Sequence, residues 1–321
     1  MDLLSRLLAL TPVTGRLEVR CHFGAPWRLD EPAAPEREVP YHVLLAGEAV
    51  VEGAGGVPRV MRAGDVVLFP GGAAHALHDG SGERPRPVRR ESSDYLRVAN
   101  NDGGGAPADI LCGRFVLPAA SLRLVQSLLP ERVIVSARPA GVAPQDVAAT
   151  RLARLVALMR EESLDQAPGS ETLVGHFSAA LFALALRFAS AAADAPPGLL
   201  ALGRHPRLQP AVLAMFDTPQ RPWTLPDLAT QANMSRATLA RLFEQAIGRS
   251  PAQVLAEIRM AHAARALTEG RRSVADIGEA VGYFSDAAFQ RAFKTRMGMT
   301  PARWRVVHGH AGDVEDRVGG G

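Results

Sequence analysis

The sequence predicts an α+β multidomain chain: an N-terminal β-barrel, a helical middle, and an all-α C-terminal part built on two helix-turn-helix units. Three observations carry this. Residues 16 to 78 alternate short apolar runs with Gly- and Pro-bearing breaks. Residues 145 to 193 carry apolar stripes at helical spacing. Near the C-terminus a segment of the chain repeats itself after about 50 residues.

The first element is a short amphipathic helix candidate in MDLLSRLLALTP, which has none of the features of a secretory signal. Strands follow at Arg16–Cys21, Tyr41–Leu45, Glu48–Val51, Val57–Met61 and Val66–Phe69, separated by turn residues, as in a barrel or sandwich. Residues 79 to 109 are rich in Gly, Pro, Arg and Asp and read as a long exposed insertion, with Arg84, Arg86, Arg89 and Arg90 as solvated charges or as contacts to DNA or an anionic ligand. ILCGRFVL, which contains Cys112, restores the strand pattern. The barrel is assigned to residues 1–135, and a helical linker and dimerisation region to 136–200. In that region Gln145–Glu162 and Glu171–Ala193 each present an apolar stripe, for an internal core, a dimer interface or both. Ala195-Pro-Pro-Gly198 reads as a hinge.

Beyond the hinge, TLPDLATQANMSRATLARLFEQAIGRSP and SVADIGEAVGYFSDAAFQRAFKTRMGMTP are two copies of one unit. Ser235, Phe243, Gly248 and Pro251 recur as Ser285, Phe293, Gly298 and Pro301. Each copy opens on a hydroxyl with Asp three residues on (Thr224 and Asp227, Ser273 and Asp276), a capping-box pattern. A tight turn and a second N-cap, Ser235 or Ser285, start the second helix, which ends at a glycine suited to a left-handed C-cap. Its apolar face holds Leu239, Phe243 and Ile247, or Phe289, Phe293 and Met297. The opposite face is fitted to a DNA groove: Ser235, Arg236, Ala237, Thr238 and Arg241 in the first copy, Ser285, Asp286, Ala287, Gln290, Arg291 and Lys294 in the second. Small residues permit close approach, Arg and Gln can read guanine and adenine edges, and Arg or Lys can bind phosphate. Between the copies, Pro251 to Glu269 reads as one helix about 28 Å long, close to the ~34 Å recurrence of the major groove, so one chain can present two reading helices to one face of the duplex.

Charge is distributed accordingly. Residues 205–307 carry 14 Lys+Arg against 8 Asp+Glu, whereas the rest of the chain carries 22 against 25. The whole has a formal charge of +3, and Lys294 is the only lysine. The positive excess lies on the repeat, as an electrostatic DNA footprint requires. No run of apolar residues approaches the ~18 needed to span a bilayer, which leads us to expect a cytoplasmic protein with no membrane partner. There is no zinc-finger spacing, serine nucleophile elbow, phosphate-binding loop or dinucleotide fingerprint, so no enzyme activity is expected.

On these residues, 205–307 resembles the DNA-binding domain of AraC-type transcriptional regulators, with IGEAVGYFSDAAFQRAFKTRMGMTPARWR as the most specific stretch. The resemblance implies that the second helix of each unit is the recognition helix; Ala237, Ala240, Ala287 and Ala288 stand where relatives often have larger contact residues. GDVVLFPGGAAH (Gly64 to His75) resembles the second cupin motif, while the histidine-rich part of the first motif is absent. That resemblance implies a double-stranded β-helix without an intact cupin enzyme site. Taken together, the chain resembles cupin-type AraC-family regulators, with residues 308–321 as a disordered tail.

The expected function is that of a sequence-specific transcription activator controlled by a small molecule or by oxidative or electrophilic stress, with promoter DNA, RNA polymerase and a second copy of the chain as partners. The alternative is a cupin enzyme fused to a DNA-binding module. Two sensor sites are candidates. His42 and His75 are either satisfied pocket histidines or ligands of a metal ion, which would need a third donor such as Cys21, His22 or His78. Cys21 and Cys112, the only cysteines, are either buried packing residues or a redox pair in which Cys21, in the run VRCHF, is attacked and Cys112 resolves it.

Overall fold

The computed structural model of the protein describes residues 2–92, 96–136, 144–165, 167–191, 198–270 and 272–309. In chain order its elements are α1 (Leu3–Leu10), β1 (Thr14–Gly24), β2 (Arg28–Glu31), β3 (Glu38–Ala46), β4 (Glu48–Gly53), β5 (Gly56–Arg62), β6 (Asp65–Leu68), β7 (His75–His78), β8 (Val88–Ser92), β9 (Arg97–Asn101), β10 (Pro107–Val116), α2 (Ala119–Leu128), β11 (Val133–Ser136), α3 (Pro144–Asp165), α4 (Ser170–Ala191), a 3-10 turn (Leu199–Arg204), α5 (Gln209–Asp217), α6 (Leu225–Gln231), α7 (Arg236–Ile247), α8 (Pro251–Glu269), α9 (Val274–Ala280), α10 (Asp286–Met297) and α11 (Pro301–His308). They form two units.

The β unit comprises Pro12–Leu117 and Leu129–Pro196. A seven-stranded sheet in the order β11-β6-β3-β10-β1-β9-β8 and a four-stranded sheet in the order β2-β7-β4-β5 share one core. Phe23, Leu44, Phe69 and Ile110 enter it from the first side, and Val51, Met61 and Leu77 from the second. β1, β4 and β10 supply alternate residues to this interior, and the five strands expected from apolar alternation are all present, although β5 buries only Met61. The expected insertion at 79–109 is different: it contains the hairpin of β8 and β9, and β9 pairs in parallel with β1. Buried Leu96 and Ala99 and half-buried Val88 and Val98 supply the apolar positions, which the surrounding arginines dilute in the sequence.

α3 and α4 pack on one another, and α4 lies on β1. By length and composition α4 alone among the described helices is apolar enough to cross a bilayer, contrary to the reading of the sequence. It instead buries Val174, Ser178, Leu181, Phe182 and Ala185, with Ser178 Oγ 2.8 Å from the Tyr41 hydroxyl of β3.

The helical unit is Met1–Thr11, Pro118–Leu128 and Pro197–Gly321. This division departs from the boundaries expected at 135 and 200: α1 and α2 belong with the C-terminal helices. The reason is burial. Leu7 and Leu10 of α1 are covered, Arg6 pairs with Asp217, and Arg265 donates to the Ala9 carbonyl at 3.2 Å. Ser121 of α2 donates to the Leu10 carbonyl at 2.7 Å, and Ala120 joins the core formed by Met260, Leu267, Phe289, Phe293 and Trp304. Residues 195–197 of the expected hinge and 310–321 of the expected tail lie outside the described residues, as do 137–143 and 192–197 of the expected dimerisation region.

Candidate functional site

The helical repeat is built as its sequence implies. In the first copy Thr224 and Asp227 form a reciprocal capping box at the start of α6; in the second, Ser273 caps α9 by accepting from the Asp276 N–H. Ser235 and Ser285 cap α7 and α10, accepting from the backbone N–H of Thr238 (3.2 Å) and Ala288 (3.1 Å). Both helices stop at a left-handed glycine, Gly248 (φ 73°) and Gly298 (φ 78°), a conformation that strains any residue with a Cβ. The copies differ where their cores demand it. Leu239 and Ala229 in the first correspond to Phe289 and Gly278 in the second, and a Cβ on Gly278 would stand 2.9 Å from the Phe289 ring.

On the opposite face Arg236, Ala237 and Arg241 of α7 are exposed, as are Asp286, Ala287, Gln290, Arg291 and Lys294 of α10. Ser235 and Ser285 are exposed but their hydroxyls are engaged in capping, and half-buried Thr238 sits 2.9 Å from the Ser235 hydroxyl. Gln290 donates to Asp286 at 2.7 Å, which holds its amide along the outer face, and Arg241 donates to Gln245 at 3.3 Å. Phe284, the residue before the α10 cap, is 89% exposed and was missed in the sequence, where an aromatic before a helix reads as core.

The second site lies inside the β unit, where the four sensor candidates meet. Cys112 of β10 sits directly opposite His42 of β3. His42 Nδ1 is 3.1 Å from Cys112 Sγ, and His42 Nε2 is 2.7 Å from His75 Nε2. His75 Nδ1 lies 2.8 Å from the Ala73 carbonyl oxygen, and its ring stacks on Phe69. Cys21 of β1 completes the row, with its sulfur 4.0 Å from that of Cys112. Both cysteines are buried as free thiols. Cys21, His42 and Cys112 nevertheless reach the wall of a cavity of about 530 Å³, which they share with Glu31, Arg97 and Arg114. The neighbours Arg20 and His22 turn to the other face of β1, toward Asp109, as strand alternation requires.

Burial holds the His42 imidazole well below its ordinary pKa and also lowers that of His75. The Cys112 thiol is pushed well up, by the contact with Cys21 and by burial. Two histidines kept neutral in the folded state tie stability to pH. Above the unfolded value of about 6.5 nothing is lost; below it the unfolded chain takes up protons that the folded β unit refuses. We expect its melting temperature to fall as pH is lowered from 7 to 5, with the loss setting in below the unfolded value and His42, the more completely buried of the two, contributing most. Thermal unfolding at these pH values checks this, and a pH-independent β unit would contradict it.

A metal ion does not fit this donor set. Both His42 nitrogens are engaged, His22 faces Asp109 and His78 faces Glu52, so neither of these two donors converges with the histidines, and Cys21, which does join the row, meets the Cys112 sulfur. Among the described residues no group of three or more His, Cys, Asp or Glu side chains is placed to hold one.

Comparison with known proteins agrees with both halves. A cupin family model matches residues 2–191, and a helix-turn-helix domain model matches residues 228–306. The chain is 32% identical to the RCS-specific HTH-type transcriptional activator RclR of Escherichia coli (strain K12), over 95% of this chain and 97% of that protein. It is 28% identical to the HTH-type transcriptional regulator MtrA of Neisseria gonorrhoeae, over 96% and 99%. Among solved structures, an AraC-type regulator from Chromobacterium violaceum is 30% identical over 35% of this chain and 99% of its own, with a TM-score of 0.33. The protein is thus a member of the AraC family of transcriptional regulators, with a helix-turn-helix DNA-binding domain behind an N-terminal cupin domain.

Proposed function

We propose that this regulator is a transcription activator switched by oxidation of Cys21 and Cys112 to a disulfide. The observation that carries the reading is the pair of sulfurs 4.0 Å apart on adjacent antiparallel strands, in the wall of a cavity that admits a small molecule. The naming of a relative as an RCS-specific activator supports both the stimulus class and the direction of regulation. In the paired register Cys21 is opposite Ile110, and Cys112 is its diagonal neighbour. Diagonal pairs lie about 7–8 Å apart at Cα, beyond the usual disulfide span, so closing the bond moves β1 relative to β10. That strand movement is the signal. Promoter affinity of the full chain, measured reduced and oxidised, tests it: Cys21→Ser and Cys112→Ser should each abolish the difference, and a difference retained in both overturns the switch.

The same proteins test the DNA face. Arg241 and Arg291 stand exposed among small neighbours on α7 and α10, and we assign them to base edges. Arg241→Ala or Arg291→Ala should each weaken promoter binding by about 1–3 kcal/mol and relax specificity at one position; unchanged affinity in both, with the fold intact, removes the assignment. Ser235, Arg236, Ala237, Thr238, Ser285, Asp286, Ala287, Gln290 and Lys294 surround them as phosphate contacts, caps and spacers. Binding to promoters in concert with RNA polymerase makes the protein cytoplasmic.

A homodimer is part of the reading. Val147, Leu158 and Leu164 of α3 and Leu173 of α4 are exposed apolar side chains on two adjoining helices. Leu158→Glu with Leu164→Glu should convert a dimer into a monomer in sedimentation of the full chain, and a parent protein that is already monomeric at tens of micromolar excludes the interface.

A further inference from the structure

We propose that Cys112, rather than Cys21, is the thiol that attacks the oxidant, with His42 Nδ1 as its base and His75 as the residue that positions that base. This rests on the thiol-switch reading above and reverses the order expected from the sequence.

The direction of the hydrogen-bond row decides the roles. The Ala73 carbonyl can only accept, so His75 Nδ1 carries a proton and donates to it. A neutral imidazole protonated on Nδ1 offers Nε2 as an acceptor, so His42 must donate from its own Nε2 across the 2.7 Å contact. His42 Nδ1 is then bare, 3.1 Å from Cys112 Sγ, and the S–H points into it. Reading the row the other way would require the carbonyl to donate or an imidazole to be charged, and burial opposes the charge. Cys21 has the Cys112 sulfur beside it instead of a base.

At rest Cys112 is a protonated thiol, which protects it from slow indiscriminate oxidation. Reaction with a hydroperoxide, or another two-electron oxidant that transfers oxygen, proceeds as the proton leaves. Cys112 Sγ forms a bond to the terminal oxygen of ROOH and the O–O bond breaks. The thiol proton passes to His42 Nδ1 and from there to the departing RO⁻, giving ROH and Cys112 sulfenic acid. While His42 is charged, its Nε2–H bond to His75 Nε2 stabilises it. Cys21 Sγ then attacks the Cys112 sulfur, the S–O bond breaks, and hydroxide leaves as water with the Cys21 proton. Two thiols and one hydroperoxide give one disulfide, one alcohol and one water; sulfur loses two electrons and the peroxide gains them.

The test uses the full chain, hydrogen peroxide and hypochlorite as separate oxidants, and a 1,3-diketone trap for sulfenic acid read by mass spectrometry. With Cys21→Ser the adduct should form on Cys112 at close to the parent rate. With Cys112→Ser, Cys21 should be trapped about 100-fold more slowly. His42→Asn retains an acceptor for the S–H but no basic nitrogen. It should slow Cys112 oxidation about 100-fold and change a rate that is flat between pH 6.5 and 8 into one that rises about tenfold per pH unit, with unfolding curves confirming that the fold is kept. His75→Leu should shift the pH profile in the same direction with a smaller loss. Rapid Cys21 oxidation in Cys112→Ser with slow Cys112 oxidation in Cys21→Ser overturns the assignment while leaving the switch standing, as does an unchanged His42→Asn. No trapped adduct and no disulfide in the parent overturns both.

Discussion

Phe293→Ala should destabilise the helical unit by about 3–5 kcal/mol, a large share of the 5–15 kcal/mol that holds a typical domain together. Phe293 is fully buried on α10. Its ring meets Phe289 edge-on at 5.7 Å and Trp304 of α11 at 5.8 Å, so it joins α10 to the helix that follows it. Trp304 is itself fixed by donating from Nε1 to the Ala264 carbonyl of α8 at 3.2 Å, which leaves it little freedom to collapse into a cavity. The cost therefore falls toward the upper end of the range for a large-to-small change, because the void persists. Chemical unfolding followed by helical signal, alongside promoter binding, reads the effect. Phe243→Ala should behave alike in the first copy, while Arg291→Ala should lose binding with its unfolding curve unchanged. A denaturant midpoint for Phe293→Ala indistinguishable from that of the parent would show that the core repacks.

Arg20→Met should cost the β unit about 3–5 kcal/mol, for a different reason. Arg20 is 4% exposed and holds Asp109 with two parallel bonds, Nε to Oδ1 at 3.1 Å and Nη2 to Oδ2 at 2.8 Å. Its remaining Nη1 is 3.4 Å from the Ser163 hydroxyl of α3. Removing the guanidinium leaves the Asp109 carboxylate largely out of water, with His22, 3.5 Å away, as its remaining ion-pair partner among the described residues. Most of the loss is this stranded charge, so it should not add to that of Asp109→Leu. In a double-mutant cycle the pair Arg20→Met with Asp109→Leu should be markedly more stable than the sum of the single variants, and simple additivity would mean that the two side chains act independently.

The second helix of each repeat copy was legible because its signals are local. A capping serine, helical spacing and a terminal glycine specify α7 and α10 without reference to the rest of the chain, and duplication stated each signal twice. β1, β3, β4, β5 and β6 were legible from alternation for the same reason, whereas the four-residue β2 was not expected. What escaped was non-local. Nothing within the run VRCHF shows that Cys112 will lie opposite His42, because that pairing depends on the register of β10 against β3. The β8–β9 hairpin was hidden by arginines at its exposed positions. For α1 the apolar stripe was visible, but a stripe specifies only that something will cover it, and α2 was not singled out. A partner more than 100 residues away, as for Ser121 and Leu10, has no sequence mark.

The placement of α1 and α2 has a consequence for taking the protein apart. The polypeptide passes from one unit to the other four times, at 11/12, 117/118, 128/129 and 196/197. β1, which carries Cys21, continues backward into α1 across three residues, and β10, which carries Cys112, runs forward into α2 across two. The reading half is therefore not a cassette. A fragment beginning at residue 197 is missing two of its own helices, Ala120 of its core among them, and a chimera that joins it to a foreign sensor inherits the same gap. Only an exchange that carries residues 1–11 and 118–128 along with the C-terminal helices transplants a complete body, and such a graft needs four seams in the chain rather than one.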